Sequence, residues 1–352
     1  MEVGQITPDW LRRTFGWPIT DANAISIEPL SLTNGTMGGV FRVRCGAHSM
    51  VYKCSPSLES PWYRIYLEGG LLDREIDIYR FLGSLQCDQR KIAPECLWSR
   101  STSEGGAALA LQDVDQGCSV MDRFIAGLAK EESLAVLQTL ATLHGTLVTT
   151  SGDPLKPPLP WLCSALDDYL VKAIAEGLSA AQNLVQTLFP RDFPQRRLLR
   201  ILDADIANVV GRCHSGARVL SLCHGDCWAT NVLFTGAGGE RRALLIDWQF
   251  AIWGNPLADV AGLLLSSLSP GQRRKWSSDL LMSYHQRLRE GLADYSFDEC
   301  RQEFCRALPF AALVCVATLD AYTSGLSAGE VRQVAARMEI IMDDVPELFG
   351  AS

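Results

Sequence analysis

Two short apolar runs, each leading to an acid, constrain this chain more than any other feature. The first, Val219–Cys223, opens into His-Gly-Asp-Cys-Trp-Ala-Thr-Asn and returns as Val232-Leu-Phe; the second, Ala243-Leu-Leu-Ile, stops at Asp247. Runs this short and this apolar, bounded by glycine and polar residues, read as buried strands rather than helices. Val219 to Asp247 is therefore expected to form a compact strand-turn-strand region. It places Asp226, Asn231 and Asp247 at strand boundaries.

An acid, an amide and a second acid in that order are the parts that phosphoryl transfer from ATP needs. A carboxylate orients and deprotonates the attacking hydroxyl, and hard oxygen ligands hold magnesium on the phosphates. Asp226 is expected to be the base. Asn231 and Asp247 are expected to hold Mg2+, one with a neutral oxygen and one with a charged one.

The rest of the chain alternates between two characters. Ile25-Ser-Ile-Glu, Val40-Phe-Arg-Val-Arg and Met50-Val-Tyr-Lys read as strands of a small antiparallel sheet, with further strands near Cys96-Leu-Trp and Ala107 to Leu111. Leu71, Leu72, Ile76, Tyr79 and Leu82 recur at helical spacing between them. Beyond Val114 long amphipathic helices take over: one carries Leu134, Leu137 and Ala141 and ends at Gly145, and another carries Leu198, Leu202, Ile206 and Val209. Terminal helices are expected at about 271–291, 297–324 and 328–345. The expectation is an α+β, two-lobed chain, with a β-rich lobe over 1–112 and a helical lobe over 113–352.

Composition excludes several classes. A net charge of -8 at pH 7, with a pI near 5.2, argues against a nucleic-acid partner, because phosphate binders concentrate Lys and Arg on one face. Arg196-Arg197 and Arg273-Arg274-Lys275 read as solvated helix faces. The 12 cysteines are irregularly spaced with no CxxC pair, so neither a disulfide framework nor structural zinc is expected. MEVGQITPDW lacks the charged and apolar regions of a signal peptide. The longest apolar stretch, Ala307 to Leu319, is too short for a membrane span and carries Pro309. The expectation is a soluble cytoplasmic chain with no membrane, nucleic-acid or obligate protein partner.

The spacing D-x-x-x-x-N, with an Asp closing the next apolar strand, resembles the protein-kinase catalytic loop and its metal-binding Asp. Here the loop reads HGD rather than HRD, and the strand ends in IDWQ rather than DFG. Both departures resemble the aminoglycoside phosphotransferase and choline kinase superfamily, and HGDCWATNVLF with LIDWQFAIWGNPLADVAGLL resembles its ecdysteroid-kinase-like branch. The close match runs from about Leu222 to Leu264. The resemblance implies a protein-kinase-like fold and an ATP- and magnesium-dependent kinase whose phosphate acceptor is a small-molecule hydroxyl. An antibiotic phosphotransferase, a choline-like kinase and a pseudokinase are the alternatives.

The resemblance also assigns residues. It implies that Lys53 binds ATP phosphates and that Glu75 pairs with it. It puts His224 in the catalytic loop as a hydrogen-bonding support, and Asp259 as a brace for that loop. Leu143-His144 matches a Leu-His pair at a helix end. Asn34, Gly35 and Thr36, in the glycine-rich turn of Leu32-Thr-Asn-Gly-Thr-Met-Gly-Gly, look like the phosphate-covering loop. Gln112 and Val114 fall at the interlobe hinge, where adenine would bond to the backbone.

Protein kinases insert a long activation segment after the metal-binding Asp. Here the chain passes from Asp247 to a helix at Pro256 almost at once, which leaves no peptide platform. The following helices are expected to wall an acceptor pocket. Asp320, Asp343 and Asp344 read as solvated acids, and Trp228, Trp248 and Trp253 as core.

Overall fold

The computed structural model describes residues 4, 6–19, 21–30, 39–56, 69–85, 91–101, 106–114, 125–150, 152–188, 205–236, 241–323 and 325–334. The chain divides into two compact units, Met1–Asp115 and Gln116–Ser352. The first carries an antiparallel sheet and the second is mainly helical, the α+β class expected.

The first unit opens with α1 (Pro8–Phe15), ahead of the first stretch for which an element was expected. Its signals are local. Thr7 caps the amide of Trp10, Pro8 occupies the first turn, and Gly16 ends the helix at φ +67°. Five strands follow: β1 (Ile25–Pro29), β2 (Gly39–Cys45), β3 (His48–Cys54), β4 (Cys96–Ser101) and β5 (Ala107–Gln112), in the order β1-β2-β3-β5-β4. Alternation decides what each face buries. On β3, Met50, Tyr52 and Cys54 join Leu11 of α1, Val43, Cys45, Ala108 and Ala110 in one core cluster. Lys53 therefore points to the opposite face, where it meets α2 (Leu71–Ser84).

The second unit contains α3 (Lys130–Thr146), the short strands β6 (Val148–Thr149) and β7 (Cys163–Ser164), α4 (Asp168–Leu188) and α5 (Ile206–His214). Then come β8 (Leu220–Cys223), β9 (Val232–Thr235), β10 (Arg242–Leu245) and β11 (Ile252–Gly254). Four helices close it: α6 (Leu257–Ser267), α7 (Pro270–Leu288), α8 (Phe297–Ala317) and α9 (Leu319–Thr323). β8 and β11 pair antiparallel at the centre of the sheet β6-β8-β11-β7, and β9 pairs with β10 as a separate hairpin.

Helix boundaries depart from expectation in three places. Gly145 lies inside α3, not at its end; the helix runs to Thr146, and the following Leu147 is extended. An isolated glycine costs a helix only about 1 kcal/mol, which packing of Val136, Leu137 and Leu140 in the core outweighs. Asp205 caps α5 by accepting the amide of Asn208 from an extended conformation, so the helix starts at Ile206. Leu198 and Leu202 lie outside the described residues, as do Arg196 and Arg197. The expected helix 297–324 is broken at Thr318 into α8 and α9. Pro309 sits inside α8, and residues 328–334 are helical.

Among the described residues, no helix is long and apolar enough to cross a membrane, and the ten described cysteines are all free thiols.

Candidate active site

All four residues of β8 are buried, and the strand delivers the chain into His224-Gly225-Asp226. Gly225 adopts φ +80°, and a Cβ there would lie 1.9 Å from the carbonyl oxygen of Phe250. Both conditions exclude a side chain, which is the physical reason for HGD in place of HRD. His224 is fully buried with both ring nitrogens engaged. Its Nε2 donates to the carbonyl of Ile246 at 2.9 Å, and Nδ1 accepts the amide of Asp226 at 3.3 Å. Burial holds the imidazole below its usual pKa, so it stays neutral. Both ring nitrogens of His224 are thus engaged with the backbone of the loop and of the following strand end.

Asp259, in the first turn of α6, is the central tie of the loop. Its carboxylate accepts the amides of His224 at 2.6 Å and Gly225 at 2.9 Å, and faces Nε2 of His144 at 3.1 Å. The other nitrogen of His144 meets the Tyr284 hydroxyl at 2.8 Å. Burial alone would raise the Asp259 carboxyl, but the hydrogen bond and charge of His144, with the His224 and Gly225 interactions, hold it below the usual range. His144, Cys223 and Asp259 lie close enough to share an ion. Their atoms are instead spent on one another and on the backbone: the Cys223 thiol contacts the carbonyls of Ser221 and Gly254.

Asp226 and Asn231 are brought together. Asn231 Nδ2 donates to the Asp226 carbonyl at 2.8 Å and to its carboxylate Oδ2 at 2.9 Å, which leaves Asn231 Oδ1 as an acceptor. The β9-β10 hairpin sets Asn231 against the residue before Asp247. Leu245 pairs with Val232, and the amide of Ile246 donates to the carbonyl of Asn231 at 3.0 Å. Asp247 takes φ +65°, the left-handed region, and is the only non-glycine among the described residues to do so. Strain of this kind gathers at functional positions.

Burial pushes the Asp226 carboxyl up to about 7; the charges of Asp247 and Asp259 act the same way, while hydrogen bonds from Tyr322 and Asn231 pull back. Tyr322, on α9, was not anticipated. Its hydroxyl donates to Asp226 Oδ2 at 2.5 Å and lies 3.2 Å from Asn231 Nδ2, and its ring stacks on Trp228 with centroids 4.6 Å apart. No local pattern marks Tyr322, which meets Asp226 only through the packing of α8 and α9.

In the first unit, Lys53 Nζ contacts Glu75 Oε2 at 2.6 Å, with both residues buried. Arg42 pairs with Asp113 at 2.9 Å just beyond β5. The amide of Gln112 already donates to the carbonyl of Glu95 at 2.8 Å, so it is spent within the sheet. Val114 follows in the same segment. Asn34, Gly35 and Thr36 lie outside the described residues, as do Asp343 and Asp344. Trp228, Trp248 and Trp253 are core, each 3% exposed or less.

The donor set fits magnesium: an amide oxygen and a carboxylate are hard ligands. The neighbouring His224 ring has both nitrogens engaged, and burial keeps the Cys227 thiol protonated.

A model of the ecdysteroid kinase-like family matches residues 46–297. No curated protein sequence matches the chain. Among solved structures, a choline kinase from Cryptosporidium parvum Iowa II superposes with a TM-score of 0.61 at 14% identity, covering 97% of this chain and 94% of that one. A Plasmodium vivax ethanolamine kinase gives 0.53 at 13%, covering 96% and 87%. A spectinomycin phosphotransferase solved with ADP and spectinomycin gives 0.52 at 12%, covering 97% and 98%. At these identities the likeness establishes a kinase-like fold.

Proposed function

Because the chain belongs to the ecdysteroid kinase-like family, we propose that it transfers the γ-phosphate of ATP, with magnesium, to a hydroxyl of a small molecule. The observation that carries this reading is the bond from Asn231 Nδ2 to Asp226 Oδ2, made where the β9-β10 hairpin also presents Asp247. The proposed base and metal ligands thus lie at the start and the end of one hairpin. The acceptor class proposed is a sterol, natural-product or xenobiotic alcohol.

Asp226 orients the acceptor hydroxyl and takes its proton. Asn231 Oδ1 and the Asp247 carboxylate would hold magnesium, which supplies positive charge for the phosphates and favours the anionic form of Asp226. In the first unit, Lys53 is assigned to the phosphates, with Glu75 fixing its ammonium at 2.6 Å. His224, Gly225 and Asp259 keep the loop in shape. After Asp247 the chain makes one turn and β11, then enters α6 at Leu257. That path has no length for a peptide-binding segment, which favours a small acceptor.

The test is ADP release by purified protein with magnesium and ATP against an ecdysteroid, choline, ethanolamine and spectinomycin. One class should stimulate release at least about tenfold, and Asp226→Asn should abolish the stimulation. Silence with every class, together with no magnesium-dependent nucleotide stabilisation on heating, removes the reading.

A further inference from the structure

The carboxylate of Asp226 is held asymmetrically. Oδ2 receives the Tyr322 hydroxyl at 2.5 Å and Asn231 Nδ2 at 2.9 Å, and these two donors are themselves 3.2 Å apart. Oδ1 accepts no hydrogen bond from the described residues. We infer that Tyr322 is a positioning residue: with Asn231 it pins Oδ2 of Asp226, so that Oδ1 takes the proton of the attacking hydroxyl. The inference rests on the phosphotransferase reading above.

Three observations support a fixed rather than incidental contact. The Tyr322 ring stacks on Trp228 at an interplanar angle of 27°, and Trp228 is only 2% exposed. A stacked ring has one direction in which to present its hydroxyl. The backbone beneath it is tied as well: the Tyr322 amide donates to the Thr318 carbonyl at 3.0 Å, and the Thr318 hydroxyl to the Val314 carbonyl at 2.9 Å. Finally, the Tyr322 hydroxyl accepts from Asn231 Nδ2 at 3.2 Å while donating to Asp226, so its oxygen is held from two sides.

A carboxylate whose second oxygen is saturated has one oxygen left for chemistry. In the step, the acceptor O–H bond breaks and its proton passes to Oδ1. The freed oxygen pair bonds to the γ-phosphorus, the bond from that phosphorus to the β,γ-bridging oxygen breaks, and ADP leaves with those electrons. Asp226 then returns the proton to solvent. Tyr322 and Asn231 do not exchange protons; they keep the carboxylate from turning, which preserves alignment.

Tyr322→Phe keeps the stack on Trp228 and removes only the donor. Its ADP release is compared with wild type, using magnesium, ATP and the acceptor most active in the panel above. A second variant carries p-aminophenylalanine at position 322, which restores a donor. Expected for Tyr322→Phe is a kcat lowered about tenfold or more, the loss carried by one hydrogen bond to a charged group. KM for ATP and acceptor should stay within about twofold, the mark of an interaction made in the transition state. The p-amino variant should recover most of the loss.

An unchanged or raised kcat in Tyr322→Phe overturns the inference, because the hydroxyl would then be occupying the acceptor's place. A raised acceptor KM at constant kcat overturns it too, making Tyr322 a substrate contact. Wild-type protein without turnover on any acceptor removes the phosphotransferase reading and this inference together. Turnover in wild type with no defect in the variant removes this inference alone.

Discussion

The carboxylate of Asp259 accepts the amide hydrogen of His224 at 2.6 Å across 35 positions of chain. It does the same for Gly225, so one side chain on α6 holds the backbone immediately before Asp226. Asp259→Ala would leave two buried amides and His144 without this partner. Each abandoned buried donor costs roughly 1–3 kcal/mol, so urea unfolding should show a loss of about 3 kcal/mol or more. Because the folded carboxyl is held below its usual range, this stabilisation is full above the unfolded value and fades as pH falls through the folded one. A variant as stable as wild type at pH 7 would show that the loop stands without the brace.

Asp226 follows the opposite sign. Its carboxyl is pushed up to about 7, so the folded state binds that proton more tightly than the unfolded chain. Stability therefore declines as pH rises from about 4 to about 7, and the full cost persists above. In magnesium-free buffer, Asp226→Asn should melt higher than wild type at pH 8 and equally at pH 4, while turnover falls at least about a hundredfold. Thermal melts across pH and ADP release check the two halves separately.

Gly225→Ala tests the turn itself. The added Cβ meets a backbone oxygen at 1.9 Å in a left-handed conformation, so neither neighbour nor backbone can yield cheaply. A loss of about 3 kcal/mol or more is expected in chemical denaturation. Equal stability of the variant would contradict the close approach of Phe250.

Lys53 and Glu75 form a buried ion pair, and removing one partner strands the other. Lys53→Met should lower stability by about 3–5 kcal/mol, whereas Lys53→Met with Glu75→Leu should recover much of that loss. Both variants should lose nucleotide stabilisation. Retained ATP binding in the double variant would detach Lys53 from the phosphates.

The loop and hairpin were legible because their signals are local. Apolar runs of strand length bracket the acids, and D-x-x-x-x-N fixes which backbone turn joins them. The pairing of Lys53 with Glu75 came from the family resemblance, since a lone lysine in a strand usually faces solvent. The helix ends at Gly145 and Asp205 were not legible, since packing decides the first and a cap the second. Tyr322 was invisible for a different reason. It lies 96 positions from Asp226, and nothing in Leu319–Thr323 distinguishes a tyrosine that reaches the base from one that fills the core.

Asp247 holds its place against the preference of its own backbone. At φ +65° and ψ +64°, a glycine would be more comfortable by about 1 kcal/mol. Selection for thermostability alone would drift toward Asp247→Gly and yield a hardier protein blind to magnesium. A stability-ranked library should thus be enriched at this position in variants that bind nucleotide no better with the metal than without it. As the proposed magnesium ligand, Asp247 would stand where fitness to fold and fitness to react pull in different directions.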